Sequence, residues 1–221
     1  MKFIFISLYN LTRKIFTYLG YKLEIKKNSF TFINLYKSYQ EALKSSKNET
    51  TYITKEYQSR FDLTDLDKIE VTDKFNILPL FCALTLKKSE NNNLFLEIGG
   101  GHNPIFLYIL KSVNKKYKFQ ILEEKNFKIK IPQEYKNYLN YVSKLEDINF
   151  RDIKTVLFSG SIQYIENYKV ILERIFKNNI EYIFITETIF TNGPEDIFTL
   201  QNNTKNVKFP NIFISYKKLN K

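Results

Sequence analysis

The stretch NNNLFLEIGGGHNPIFLYIL, residues 91–110, decides the predicted fold of this chain. A short apolar run ends at the acid Glu97, three consecutive glycines follow, and a second apolar run begins shortly after them. Three of the six glycines of the chain stand together here. Glycine concentrated at one place indicates a backbone that must turn sharply or admit a close approach. The stretch therefore predicts a buried strand, a glycine turn and then a helix.

From residue 94 onward, the sequence alternates short apolar runs with amphipathic segments. The predicted strands are LFLEI (94–98), KFQILEE (118–124), LNYVS (139–143), TVLFSG (155–160) and EYIFITET (181–188), and the predicted helices are NPIFLYILKSV (103–113) and YKVILERIFKN (168–178). Strands and helices in alternation predict an α/β fold with a mostly parallel sheet and helices on both faces. In such sheets, ligands bind beyond the carboxyl ends of the strands.

Residues 1–90 are predicted to form a helical region that packs on the domain of residues 91–221. Apolar residues recur at helical spacing in FINLYKSYQEALKSS (32–46) and in KFNILPLFCALTLKK (74–88). Residues 1–20 also fit one face of a helix but are too polar for a membrane span. Two interpretations of that face stay open, namely packing on the domain and peripheral contact with a membrane surface.

The charge and the cysteine count restrict the classes of function. The net charge of +11 is spread along the chain without an arginine-rich block, which favours a solvated basic surface over a nucleic-acid interface. A basic RNA-binding domain stays open on charge alone. One cysteine and one histidine cannot form a zinc site, and no disulfide can form within the chain. A cytoplasmic location is expected, with or without contact to the inner face of the membrane.

The glycine loop itself predicts a nucleotide-like ligand. A phosphate-binding loop would need Gly-Lys-Ser/Thr, which is missing, and the dinucleotide pattern G-x-G-x-x-G would need glycine where Pro104 stands. The spacing that is present is an acid and two glycines, Glu97, Gly99 and Gly101. At the end of the next strand, Glu123 can accept hydrogen bonds from both hydroxyls of a ribose. Glu124 is the alternative in a strand end whose register is open by one residue.

The acid and glycine spacing resembles the first motif of class I S-adenosylmethionine-dependent methyltransferases. A longer ordered series resembles one family of bacterial methyltransferases, largely uncharacterised and often encoded with surface-polysaccharide genes. The series comprises YKSYQEAL (36–43), the glycine loop, Glu123, SGSIQY (159–164), FTLQ (198–201) and the pair Phe209-Pro210. The series spans residues 35 to 215. Each motif alone has low specificity for the family, and the order of the motifs makes the combination more specific. Where that family has Arg-Thr after the fifth strand, this chain has Glu187-Thr188.

This resemblance implies a Rossmann-like, class I methyltransferase-like sheet that binds S-adenosyl-L-methionine and methylates a hydroxyl of a small molecule or glycan. The implied roles are cofactor binding for Glu97, Gly99, Gly100, Gly101, Glu123, Ser159 and Gly160, acceptor binding for Tyr164 and Gln201, and general-base candidacy for His102 and Glu187. Residues 189–221 are fewer than the usual ending of this fold, so its C-terminal strands are expected to be incomplete. A non-catalytic domain that keeps the fold is the alternative.

Overall fold

The computed structural model describes residues 2–4, 31–46, 94–100, 118–123, 131, 133–202 and 208–219. The chain divides into two compact units. Unit 1 comprises residues 1–4, 58–159 and 167–184, and unit 2 comprises residues 5–57, 160–166 and 185–221. The division crosses the predicted boundary at residue 90, because residues 31–46 belong to the same unit as the C-terminal residues.

The described strands and helices follow one another in this order. The strands are β1 (Lys2–Ile4), β2 (Thr31–Tyr36), β3 (Leu94–Ile98), β4 (Lys118–Leu122), β5 (Leu139–Val142), β6 (Ile153–Ser159), β7 (Tyr182–Thr186), β8 (Phe190–Thr191), β9 (Ile197–Asn202) and β10 (Lys208–Ser215). The helices are α1 (Tyr39–Ser45), α2 (Tyr168–Phe176) and α3 (Tyr216–Leu219), with short 3-10 turns at Gln133–Tyr135, Leu145–Asp147, Phe150–Asp152 and Ile162–Tyr164.

The larger sheet confirms the predicted α/β class. Its strand order is β1-β7-β6-β3-β4-β5, and β3 pairs in parallel with both β4 and β6, as β4 does with β5. The strands β3, β4, β6 and β7 are nearly continuous apolar runs because their middle residues are buried, as Leu96 and Leu157 are. The chain leaves β3 toward β4 and β5 and returns on the other side to β6, so the strand order reverses at β3. The predicted helix at 103–113 lies outside the described residues.

Helix α2 forms where the sequence predicts it. Tyr168, Ile171, Leu172 and Ile175 are buried at the three- and four-residue spacing of one helix face. Its N-cap residue is Asn167, and Lys177 ends it. Helix and β-sheet prediction from periodicity alone therefore succeeds for this part of unit 1.

The beginning of the chain differs from its predicted helix. Lys2–Ile4 is a strand that pairs in parallel with β7, with Phe3 opposite Ile183. Without β1, strand β7 would be an edge strand with unpaired backbone groups on one side. The pairing with β1 satisfies these groups over three residues. The remainder of the predicted amphipathic helix, residues 5–20, lies outside the described residues, as does the predicted helix at 74–88.

Unit 2 contains a second sheet of order β2-β9-β10-β8. Strand β9 is antiparallel to both β2 and β10, and β10 is parallel to β8. The helix predicted over 32–46 is therefore wrong over 32–36, where the chain is part of strand β2, and correct over Tyr39–Ser45. The C-terminal strands of the parallel sheet were expected to be incomplete, and in the structure β8, β9 and β10 belong to the second sheet, where β9 pairs with β2.

The segment YKSYQEAL makes the change from strand to helix in unit 2. Ser38 is the N-cap of α1, and its hydroxyl oxygen accepts a 3.2 Å hydrogen bond from the Glu41 N–H. The Glu41 carboxylate in turn accepts a 2.8 Å bond from the Lys37 N–H. This reciprocal pair is a variant of the capping box. The Tyr36 and Ser45 hydroxyls are 3.0 Å apart, and Ala42 is fully buried, so these motif positions have structural roles.

Candidate functional site

The glycine turn of unit 1 begins directly at the carboxyl end of β3. Glu97, near the end of that strand, is only 1% exposed. Gly99 has a φ of 71°, in the left-handed region that residues with a Cβ rarely adopt, and its N–H donates a 2.9 Å hydrogen bond to the Leu122 carbonyl. The turn is thus held against β4 by the backbone.

The strand register places three predicted cofactor residues at one level of the sheet. Ile98 pairs with Leu122, so Gly99 lies beside Glu123. On the other side of β3, Glu97 pairs with Leu157, so Ser159 is at the same level. Adjacent strands are about 4.8 Å apart, so the row Glu123–Gly99–Ser159 crosses the three strands in about 10 Å.

This row lies where the strand order reverses. Strands β4 and β6 lie on opposite sides of β3, and the chain connections after β3 and before β6 therefore run in opposite directions across the sheet. Open parallel sheets bind ligands at such a position. Glu123 and Ser159 are half-buried rather than enclosed. The Glu123 N–H donates a 3.0 Å hydrogen bond to the Val142 carbonyl, so its backbone continues the pairing of β4 with β5.

Gly100 shows why the turn requires a second glycine. A Cβ on Gly100 would lie 3.0 Å from Cδ of Glu97 and 3.2 Å from Cγ2 of Ile121, so these side chains would have to shift by a few tenths of an ångström. The carboxyl group of Glu97 is therefore packed beneath Gly100. Because Glu97 is buried, we expect it to support the turn. Gly101 and His102 lie outside the described residues.

In unit 2, the side chain of Gln163 connects the loop of residues 160–166 to the segment after β7. Its Nε2 donates to the carbonyl of Gly160 at 3.1 Å and to the carbonyl of Glu187 at 3.2 Å. Its Oε1 is 2.9 Å from the hydroxyl of Thr188, which donates. Gln163 is 5% exposed. Gln163 lies within the SGSIQY motif, but its position in the sequence alone indicates no role for it.

Tyr164 and Gln201, the predicted acceptor residues, are in direct contact. The Tyr164 hydroxyl donates a 2.7 Å hydrogen bond to Oε1 of Gln201, which also accepts a 3.0 Å bond from Nδ2 of Asn211. The Tyr164 ring meets the ring of Phe209 edge to face, with centroids 6.2 Å apart. The FTLQ segment and the Phe209-Pro210 pair thus both contact the SGSIQY segment through the side chain of Tyr164.

Helix α1 contacts the same loop. The Tyr39 hydroxyl donates a 2.7 Å hydrogen bond to the Tyr164 carbonyl, and Nε2 of Gln40 donates a 2.7 Å bond to the Glu166 carboxylate. Three motif segments that are distant in the sequence, namely YKSYQEAL, FTLQ and Phe209-Pro210, therefore converge on residues 160–166. The sequence could not show this convergence, because no periodic pattern links them.

Glu187, a predicted general base, follows β7 in a strained conformation. Its φ is 54°, and it is exposed. Gly160 also has a positive φ, 60°, and its N–H donates a 2.9 Å hydrogen bond to the Thr186 carbonyl. A Cβ on Gly160 would lie 3.2 Å from Oε2 of Glu187, so the carboxylate lies over this glycine.

Within the described residues, no group of three or more His, Cys, Asp or Glu side chains is arranged to hold a metal ion. No helix within that part of the chain is long and apolar enough to cross a membrane.

No protein-family model matches the chain, and no curated protein matches it. The function is therefore inferred from the residues and their geometry.

Proposed function

We propose that this chain binds S-adenosyl-L-methionine at the carboxyl ends of β4, β3 and β6 and methylates a hydroxyl group of a small molecule or glycan. The observation that carries the proposal is the row Glu123–Gly99–Ser159, in which a left-handed glycine lies between an acid and a serine at the reversal of strand order. The surface-polysaccharide context comes only from the resemblance of the sequence motifs.

The chemistry of this row suits the adenosine part of the cofactor. The Glu123 carboxylate can accept hydrogen bonds from both ribose hydroxyls, and Gly99 presents backbone without a side chain to a ligand that lies across the turn. Glu97 holds the turn from beneath, through its contact with Gly100. The cofactor would supply a methyl group on a positively charged sulfur, and the protein's task is to align it and exclude water.

The acceptor side of the proposal rests on unit 2. Tyr164 and Gln201 fix each other by their 2.7 Å hydrogen bond, so they form a preorganised wall for the acceptor. A hydroxyl acceptor also needs a group that accepts its proton. Glu187 is an exposed residue whose carbonyl is bonded to Gln163, the neighbour of Tyr164, and its carboxylate is one candidate for this role. His102 is the second candidate.

The proposal is tested by isothermal titration calorimetry of the whole chain. We expect saturable binding of S-adenosylmethionine and S-adenosylhomocysteine below about 1 mM, within the usual range of enzyme–substrate affinities. Under the same conditions, NAD should bind more weakly, because Pro104 replaces the last glycine of the dinucleotide pattern. No heat from S-adenosylmethionine at millimolar concentration would refute the proposal.

One observation favours a second function, a non-catalytic domain that binds the cofactor. The polar groups of Tyr164, Gln201 and Gln163 are used in hydrogen bonds within the protein. Such groups can build a rigid domain without serving an acceptor. Binding of S-adenosylmethionine, with no transfer of a labelled methyl group to any fraction of a cell extract, would favour this function over the enzyme.

A further inference from the structure

Glu187 has a backbone conformation that its residue type disfavours. Within the part of the chain that the structure describes, the non-glycine residues with positive φ are Asn34 and Glu187. Asparagine is several-fold enriched in this region, whereas glutamate is not. For a residue with a Cβ, the left-handed conformation is unfavourable and persists only where the surroundings impose it.

The surroundings of Glu187 do impose it. Its carbonyl accepts a 3.2 Å hydrogen bond from Nε2 of Gln163. On one side, the Thr186 carbonyl accepts the Gly160 N–H at 2.9 Å. On the other side, the Thr188 hydroxyl is within 2.9 Å of Oε1 of Gln163 and 3.1 Å of the Thr186 carbonyl, either of which can accept its proton. The Gln163 amide thus contacts the carbonyl of the strained residue and the side chain of the residue that follows it.

A strained residue that is also exposed contributes little to packing. Glu187 fills no core position, and glycine at 187 would relieve the strain without leaving a cavity. Its side chain is nevertheless directed over Gly160, where any Cβ would lie 3.2 Å from Oε2. Strained backbone of this kind clusters at functional sites, where it fixes the direction of a side chain.

We propose that Gln163 is a positioning residue that holds Glu187 in its left-handed conformation, and that the Glu187 carboxylate accepts a hydrogen bond from the hydroxyl group of the acceptor. The second half of this proposal rests on the proposed function. The first half concerns unit 2 alone and stands without it.

The first experiment is a double-mutant cycle on thermal stability. Glu187→Gly removes the strain together with the carboxylate, and Glu187→Ala is the matched control because it removes the carboxylate and keeps the Cβ. We expect Glu187→Gly to melt about 2–4 °C above Glu187→Ala. In a Gln163→Met background, residue 187 can relax, so the difference should shrink to near zero. Thr188→Val, which removes one bond to Gln163, should reduce it partly and serves if Gln163→Met does not fold.

An equal difference in all backgrounds, or no difference at all, would overturn the role of Gln163. This result does not depend on any cofactor, so it is distinct from a failure of S-adenosylmethionine binding, which refutes the proposed function.

The second experiment measures the contact with the acceptor. Transfer is followed with S-adenosylmethionine labelled in its methyl group and a polar-metabolite and glycan extract as acceptor. We expect Glu187→Gln and Gln163→Met to raise the half-saturating amount of extract about tenfold, while the dissociation constant for S-adenosylmethionine stays within twofold. A merely structural role would not separate the two constants. Unchanged saturation by extract, or no transfer by the unmodified chain that binds the cofactor, would overturn the assignment of Glu187.

Discussion

The hydroxyl of Tyr164 donates a 2.7 Å hydrogen bond to Oε1 of Gln201, a residue 37 positions later in the chain. Gln201 is 7% exposed and accepts a second bond, from Asn211, at the same oxygen. The bond joins the loop after β6 to the hairpin of β9 and β10. It makes the two predicted acceptor residues one structural element of unit 2.

Removing this hydroxyl should destabilise unit 2 measurably. We expect Tyr164→Phe to lower the free energy of unfolding by about 1 kcal/mol, because Oε1 of Gln201 keeps only its bond from Asn211. Urea unfolding monitored by circular dichroism measures the loss. Tyr182→Phe is the matched control, since the structure shows no hydrogen bond between the Tyr182 hydroxyl and any described residue. Equal losses for the two variants would contradict the account of the Tyr164 bond.

The cap of α1 should account for the Ser38 position of YKSYQEAL. Ser38→Ala removes the oxygen that accepts the Glu41 N–H, and the expected cost is about 1 kcal/mol in the free energy of unfolding. Ser38→Asn keeps an N-cap acceptor and should cost only a few tenths of a kcal/mol. Chemical denaturation of both variants distinguishes the capping role, which is refuted if alanine is tolerated as well as asparagine.

The close packing at Gly100 should make even a methyl group costly. Gly100→Ala places a Cβ 3.0 Å from Cδ of Glu97, so the buried carboxyl group must shift, at an expected cost of about 1–3 kcal/mol. Gly193→Ala is the matched control, because its nearest contact would be 3.4 Å, which is ordinary van der Waals distance. Differential scanning calorimetry should show a lower melting temperature for the first variant alone. A Gly100→Ala protein as stable as the unmodified chain would show that Glu97 is not fixed beneath the turn.

The parts of the fold that the sequence predicted share one property. Each of the strands β3 to β7 is a short apolar run, and α2 repeats its buried residues at helical spacing. Each of these elements can therefore be predicted from its own residues, without knowledge of distant contacts. Their alternation with helical segments predicts the parallel sheet but not its strand order, and the three consecutive glycines predict the turn.

The parts that the sequence did not predict depend on distant pairing. FINLY (32–36) is too short for its periodicity to decide between helix and strand, and it became β2 because it pairs with β9, with Phe32 opposite Gln201. Lys2–Ile4 is a strand because it pairs with β7. The roles of Gln163 and Asn211 arise from contacts that join three separate segments, which spacing along the chain does not reveal.

The central claim is a cofactor site at the carboxyl ends of β3 and β4. It is tested most directly by measuring the affinity of two variants, Glu123→Ala and Glu181→Gln, for S-adenosylmethionine. Glu181 is an exposed acid directly before β7, at the amino ends of the strands of the same sheet, where it forms a 3.6 Å ion pair with Lys154. Loss of hydrogen bonds to the Glu123 carboxylate should weaken binding about ten- to a hundredfold by titration calorimetry, while Glu181→Gln stays within about twofold. Equal affinities for the two variants would contradict a cofactor site at the carboxyl ends of β3 and β4.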